Sequence, residues 1–472
     1  MAKTFFFYDL ETSGLNPRSD RIMQFAGIRT DENLRPIGEP YNLLVALNDD
    51  TLPSPDAIMV TGITPQVTRA EGYSEAEFAK ILVTEIFTAE TTVVGFNNIR
   101  FDDEFIRYLL WRNFYDPYSW AWQEGRSRWD LLDVVRMTRA LRPDGINWPV
   151  DESGKAVNKL ELLTKINGLE HAKAHDALSD VEALIAVTGL IRDQQPDLYN
   201  YLLKIGDKRA VKQLVNLEDP KPFVYVSGRY EAEFNKATVA LPFAPGSNGN
   251  LLVYDLRYDP TPFIKLTSDE LRDRLFASWQ ERQAEDFEKI PVKELQYNRC
   301  PAVAPLGVLE QANGWKSLHL ELSLIEKHTK LIQANPGFTK RVAQAVADRP
   351  AFATDPLAEA QLYDGFIGDK DRLRCETVVA ADRATIATLQ PQFDDARLSE
   401  LFVRYKVRNF PGEASTEDRE QYEVYRQERL RQTIPEYVKR LHTLAAGKLT
   451  DSQQYALEEL RLWLESIMPS DD

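Results

Sequence analysis

The run Lys3-Thr4-Phe5-Phe6-Phe7-Tyr8 passes directly into Asp9-Leu10-Glu11-Thr12-Ser13-Gly14. An apolar, aromatic run of this length suits a buried strand, and here it ends in two carboxylates. Side chains two apart on a strand point to one face of the sheet, so Asp9 and Glu11 stand side by side. Two carboxylates so placed repel unless a cation sits between them, and hard oxygen donors favour Mg2+ or Mn2+. The spacing therefore predicts a sheet built on a buried first strand with an acidic end.

Further strands of the same sheet are expected over residues 21–30, 41–47 and 91–96. Helical spacing runs over 74–88, with Ser74 as N-cap, and over 101–112, 130–141, 159–167 and 176–193. Strands first and helices interleaved afterwards predict an α/β unit with a mixed sheet. Short strands at 223–227, 238–243 and 251–256, separated by Pro245-Gly246-Ser247-Asn248-Gly249, predict a small barrel or twisted sheet. Helices at 268–282, 322–333 and 339–347 complete that region. Residues 348–356, with two prolines, read as a linker, and 358–366, 394–407, 416–432, 435–446 and 451–467 all have helical period. The expectation is an α+β multidomain chain divided at 1–195, 196–350 and 351–472, in keeping with roughly 150 residues per domain.

The 472 residues hold 57 Lys and Arg against 73 Asp and Glu, a net charge of −16. That balance excludes attraction of a polyanion over the whole surface, but not a local basic groove. At 43% hydrophobic and 28% charged, the composition is neither collagen-like nor disordered. No apolar stretch reaches the roughly 18 residues of a spanning helix. Asp9 and Glu11 interrupt the N-terminus too early for a secretory signal, which predicts a cytoplasmic protein. Cys300 and Cys375 stand apart, which excludes a zinc ribbon or a disulfide framework.

Two further acidic clusters follow. Asn97-Asn98-Ile99-Arg100-Phe101-Asp102-Asp103 lies where an apolar strand gives way to a helix, so either Asp102 or Asp103 can approach the first strand. His175-Asp176-Ala177-Leu178-Ser179-Asp180 opens a later helix, where a histidine and either aspartate can converge on one site. Each alone reads more simply as a helix N-terminal acid favoured by the helix dipole.

Taken in order, the three clusters resemble four-carboxylate exonucleases of the histidine subtype, which have a ribonuclease H-like fold. Four stretches are similar to the bacterial exonuclease I family: Ser127-Arg128-Trp129-Asp130-Leu131-Leu132-Asp133-Val134, Leu141-Arg142-Pro143-Asp144-Gly145-Ile146-Asn147-Trp148-Pro149, Ala174-His175-Asp176-Ala177 and Arg408-Asn409-Phe410-Pro411-Gly412. The resemblance spans essentially the whole chain. It implies a Src-homology-type barrel-like domain after the exonuclease domain, followed by a helical C-terminal domain that helps enclose the strand. It also implies Mg2+-dependent, processive 3′-to-5′ hydrolysis of single-stranded DNA to nucleoside 5′-monophosphates, in DNA repair and recombination. Two Mg2+ ions, for which Mn2+ substitutes, would be shared by Asp9, with Glu11 and Asp180 at one and Asp102 at the other. His175 would take the proton of the attacking water. The alternatives are a related ribonuclease, a proofreading exonuclease, or a single-strand-binding module without catalysis.

Residues 97–148 contain eight arginines, no lysine and eight acids, with eleven aromatics and five of the eight tryptophans. Arginine pairs with phosphate and aromatics stack on bases, the combination of a single-strand groove. The expected strand contacts are Arg107, Tyr118, Trp122, Arg136, Arg142, Asn158 and Lys159, while Trp111, Trp120 and Trp129 read equally well as core; the resemblance implies that Glu11 also meets the terminal nucleotide. The resemblance further implies a protein partner, the acidic C-terminal tail of single-stranded DNA-binding protein, with Arg404, Lys406 and Arg408 as candidate receivers. A monomer, associated with the bacterial nucleoid through DNA, is expected.

Overall fold

The computed structural model describes residues 3–169, 177–349 and 354–468. These fall into two compact units. One is drawn from Met1–Arg128, His171–Glu182 and Ala353–Asp472, the other from Trp129–Glu170 and Ala183–Phe352.

The first sheet has five strands: β1 (Thr4–Thr12), β2 (Ile22–Thr30), β3 (Tyr41–Leu44), β4 (Thr91–Gly95) and β5 (Ser127–Asp130). Their order is β3-β2-β1-β4-β5, which puts β1 in the middle. It runs antiparallel to β2, with Asp9 opposite Ala26 and Glu11 opposite Gln24, and parallel to β4, with Phe7 opposite Val94. The β1–β2 register shifts between Glu11 and Thr12, a bulge of the kind that re-aims side chains at a site. Phe6, Tyr8 and Leu10 share one core with Phe25, Phe78, Phe105, Ile106, Leu109 and Trp120. Burying each large side chain contributes about 1.5–3 kcal/mol, which is what holds the acidic strand end in place.

The helix at Ser74 opens on a capping box, in which Ser74 and Glu77 satisfy each other's backbone N–H groups. It is regular only over Glu75–Ile81. Over Leu82–Ile86 the turn widens, with the Phe87 N–H donating to the Leu82 carbonyl at 2.8 Å.

Residues 354–468 belong to the same unit. Tyr108, Trp111 and Phe114 share a core with Val378, Ile386, Leu398, Leu401, Phe402 and Tyr405. Met23, Leu47 and Ile58 share another with Leu430, Leu457, Leu460 and Trp463. Between these cores lies a buried ion network centred on Glu359, which is fully inaccessible. Its carboxylate accepts from Arg21 at 2.6 Å and forms ion pairs with Arg408 at 2.5 Å, Arg429 at 3.7 Å and Arg404 at 3.9 Å. Arg408 also pairs with the buried Asp50, and Arg112 grips Glu75 through two hydrogen bonds of 2.7 and 3.2 Å. The surrounding guanidinium groups, Arg408 and Arg21 foremost, hold the Glu359 carboxyl well below its ordinary value despite its burial.

In the second unit, β6 (Phe223–Val226), β7 (Ala237–Pro245), β8 (Leu251–Asp255), β9 (Val292–Leu295) and β10 (Ala302–Pro305) form an antiparallel sheet ordered β10-β6-β7-β8-β9. It is twisted and open rather than a closed barrel, with β9 and β10 as its edges. Strands β5, β9 and β10 carry too little apolar pattern in four residues each to stand out in the sequence.

The C-terminal helices also differ from expectation. Residues 358–366 form only a short 3-10 turn at Ala358–Ala360, whereas Asp369–Ala380 and Arg383–Thr388 are helices. The expected break before Pro435 is absent, and Thr416–Ala445 is one helix. Proline forfeits one backbone bond there, but Leu430, Tyr437 and Leu441 remain buried on either side of it.

Arg404, Lys406 and Arg408 do not form a receiving surface for an acidic tail. Arg404 and Lys406 are buried and the Arg408 side chain is nearly inaccessible, and each is already paired, Arg404 with Glu400, Lys406 with Asp418 at 2.9 Å, and Arg408 with Asp50 and Glu359. Removing the acid at the centre of this network strands several buried cations. Glu359→Ala is therefore expected to cost about 3–5 kcal/mol, read as a lowered urea midpoint, whereas an exposed acid such as Glu436 replaced by alanine should shift it negligibly.

Candidate active site

Strand β1 presents Asp9 and Glu11 on the face opposite Tyr8, as the alternation requires. The helix Ala177–Gln194 carries Asp180 in its first turn. One carboxylate oxygen from each of Asp9, Glu11 and Asp180 lies within 4.8 Å of the others. Asp102 opens the helix Asp102–Arg112 and is buried. Its charge raises Asp9, as do those of Glu11 and Asp180, but burial is the larger cause, and together they push the Asp9 carboxyl well above its ordinary value. Burial, then Asp180, pushes Glu11 up to about 7.

This electrostatic state tests whether a cation fits. Three carboxylates converge in a partly buried place, where burial and the neighbouring charges raise the Asp9 and Glu11 carboxyls. A divalent ion relieves that repulsion and satisfies the oxygens. Among the described residues no other group of three metal-binding side chains meets in this way.

Asp103 is differently employed. Its carboxylate accepts from the Tyr8 hydroxyl at 2.7 Å, Asn98 Nδ2 at 3.2 Å and Arg128 at 2.6 Å, and it is wholly buried. Of the two adjacent aspartates, Asp102 is the one whose charge acts on Asp9. The same ambiguity between Asp180 and Asp176 is narrowed only from one side, since His175 and Asp176 lie outside the described residues.

The expected strand contacts divide by exposure. Trp122 is 64% exposed, while Trp111, Trp120 and Trp129 are buried. Lys159 is exposed. Arg107 is buried, bonded to Glu104 at 2.9 Å and to the Tyr363 hydroxyl at 3.2 Å, and stacked over half-buried Tyr118. In the other unit, Arg136 pairs with Asp133 at 2.8 Å, Arg142 donates to Gln311 at 2.6 Å, and Asn158 accepts from Arg139 at 3.4 Å. Tyr8, Asn98, Arg128 and Tyr363 escaped sequence reasoning because buried polar partners lie far from one another in the chain.

Acidic side chains brought to the end of a central strand of a mixed sheet define a carboxylate exonuclease site, and residues 6–188 match the Exonuclease family. Residues 206–348 match the Exonuclease I SH3-like domain, and residues 356–467 the Exonuclease I C-terminal domain. The chain is 38% identical over 457 residues to exodeoxyribonuclease I of Escherichia coli K12, covering 96% of each. It is similar to the crystal structure of E. coli exonuclease I with a dA16 oligonucleotide, with a TM-score of 0.94, 36% identity and coverage of 99% of this chain and 100% of that one. A zinc-bound form of an E. coli exonuclease I–single-stranded DNA complex matches with a TM-score of 0.93, 36% identity and the same coverage. The chain belongs to the exonuclease I family.

The raised acids set a pH dependence. In the metal-free protein Glu11 keeps its proton up to about 7, against an ordinary 4.5, so between these values the folded state binds more protons than the unfolded. Stability from this group therefore falls as pH rises through that window. In EDTA, Glu11→Gln should raise the melting temperature at pH 8 and do little at pH 4.5. Added divalent cation should stabilise the wild type more at pH 8 than at pH 5.5, because binding displaces those protons.

Proposed function

We propose that this chain is a processive 3′-to-5′ exonuclease that degrades single-stranded DNA to nucleoside 5′-monophosphates, with Mg2+ as cofactor, in DNA repair and recombination. The observation that carries the reading is the convergence of Asp9, Glu11 and Asp180, with Asp102 acting on the same carboxyl, in a chain of this family. E. coli exonuclease I, its neighbour in fold, is known in complex with single-stranded DNA.

Asp9, Glu11, Asp102 and Asp180 would hold two Mg2+ ions, or Mn2+ in their place. When bound, such a pair lowers the pKa of water and stabilises charge on the phosphate and the leaving 3′-oxygen. The carboxylates are already brought together before the cation arrives, so binding displaces protons from them and asks for little rearrangement of the chain. His175, adjacent in sequence to the Asp180 helix, is the proposed base, its imidazole nitrogen accepting the proton of the attacking water. Glu11 is also proposed to meet the terminal nucleotide. Trp122 and Lys159 are the strand contacts best supported by exposure, the first for stacking and the second for phosphate.

The acidic C-terminal tail of single-stranded DNA-binding protein is a proposed partner, and its receiver lies elsewhere than Arg404, Lys406 and Arg408. The enzyme is proposed to act as a cytoplasmic monomer, reaching the nucleoid through DNA. Among the described residues no helix is long and apolar enough to cross a membrane.

Matched single-stranded DNA, duplex DNA and RNA, digested with Mg2+ and with EDTA, test the reading. Mononucleotides should be released from single-stranded DNA alone and only with metal. Cleavage of RNA would favour the ribonuclease alternative, and binding without cleavage the inactive module. Asp9→Ala should abolish cleavage while single-strand affinity in EDTA stays near wild type, and residual activity within tenfold would defeat the metal assignment. Trp122→Ala should weaken strand binding by about 1–3 kcal/mol, the usual worth of one base stack, as measured by fluorescence anisotropy.

A further inference from the structure

Two of the four carboxylates are followed or preceded in the chain by residues that bond to each other. Tyr8 precedes Asp9 on β1, and Asp103 follows Asp102 on its helix. The Tyr8 hydroxyl donates to Asp103 Oδ1 at 2.7 Å. Asn98 Nδ2 donates to the same oxygen at 3.2 Å, and Arg128 Nη1 to Oδ2 at 2.6 Å. Tyr8, Asn98 and Asp103 are fully inaccessible and Arg128 nearly so.

We propose that Asp103 is a positioning residue for the metal site, fixing the separation of Asp9 and Asp102 by clamping the helix of Asp102 to β1 through Tyr8. The proposal rests on the reading of Asp9 and Asp102 as metal ligands given above. Three donors from three separate places in the first unit, β1, the turn after β4 and β5, converge on this one carboxylate. Two of them meet Oδ1 and the third Oδ2, so both carboxylate oxygens tie the first turn of the Asp102 helix to the sheet. The turn after β4 is equally constrained. A Cβ on Gly95 would come within 2.6 Å of the Asn98 Cβ and 3.3 Å of the Tyr8 carbonyl oxygen, so only glycine allows this approach.

Charge supports the same assignment. Arg128 balances Asp103 in a buried place, with the Tyr8 hydroxyl donating to the other carboxylate oxygen. Asp103 thus has its acceptor capacity occupied by protein groups, whereas Asp9, Glu11 and Asp180 face one another. Partners that orient metal-binding side chains typically change metal affinity or activity 10–100-fold when removed.

Tyr8→Phe is the informative variant, because the ring stays in the core and Asp103 keeps Asn98 and Arg128. Mn2+ binding to the full chain is measured by the electron paramagnetic resonance of free Mn2+, alongside kcat and KM on a single-stranded oligonucleotide across a Mg2+ titration. The expected result is Mn2+ affinity lowered by about tenfold, a Mg2+ activation curve moved to higher concentration, and kcat recovering at high metal with KM unchanged. Ile86→Ala, a cavity in the same core away from the acids, should lower the melting temperature without moving either metal curve. Asp103→Asn should displace the metal curves further in the same direction.

Unchanged Mn2+ affinity in Tyr8→Phe, with binding abolished in Asp9→Ala and Asp102→Ala, would overturn the positioning role and leave the metal site standing. An equal shift in Ile86→Ala would overturn it as well, by reducing the effect to lost stability. Mn2+ binding that survives Asp9→Ala and Asp102→Ala would remove the metal reading and this proposal with it.

Discussion

Like charge held together is the constraint from which the site follows. Asp9 and Glu11 emerge from one strand, Asp180 reaches them from a helix, and Asp102 acts on the same carboxyl. Left to themselves these groups would separate or take up protons. What prevents separation is the aromatic packing beneath β1, where Phe6, Tyr8 and Leu10 are locked among Phe25, Phe78 and Phe105. The strand is central in its sheet, held by β4 as far as Phe7 and by β2 through Glu11, so its acidic end stays tied to β2. The core thus stores an electrostatic demand that a divalent ion meets.

The second constraint is the ion network around Glu359. Arg21 donates to Glu359, and its backbone exchanges hydrogen bonds with Ser13, two residues beyond Glu11. A residue from the last third of the chain therefore braces the segment that follows the first acidic pair. Several guanidinium groups share few carboxylates here, an arrangement in which geometry matters more than net attraction. The long helix Thr416–Ala445 supplies Arg429 to the same place, whose guanidinium also donates to the Ser19 carbonyl at 2.6 Å.

Much of this was legible in the sequence because the signals were local. The aromatic run Phe5-Phe6-Phe7-Tyr8 announced β1, and strict alternation put Asp9 and Glu11 on one face. Ser74 and Glu77 marked a helix start, and Leu322–Gln333 and Asp451–Ile467 have the expected bounds. The illegible parts share a physical cause, dependence on partners far along the chain. Pro435 read as a break because the burial of Leu430, Tyr437 and Leu441 against the final helix is not written in its neighbours. Arg404, Lys406 and Arg408 read as a basic surface because the acids that draw them inward, Glu359, Asp50 and Asp418, are separate in sequence. Asp103 was indistinguishable from Asp102 until Tyr8, Asn98 and Arg128 were seen around it.

The unit that holds the carboxylates is assembled from three separate stretches, the last beginning more than 170 residues after Asp180. During synthesis all four acids leave the ribosome long before Glu359 and the helices that complete their unit. For that interval the nascent chain carries the four acids without the brace at Arg21 or the covering of Trp111 and Phe114. A polypeptide growing beside its own messenger thus acquires the packing that braces its acidic strand only as translation ends.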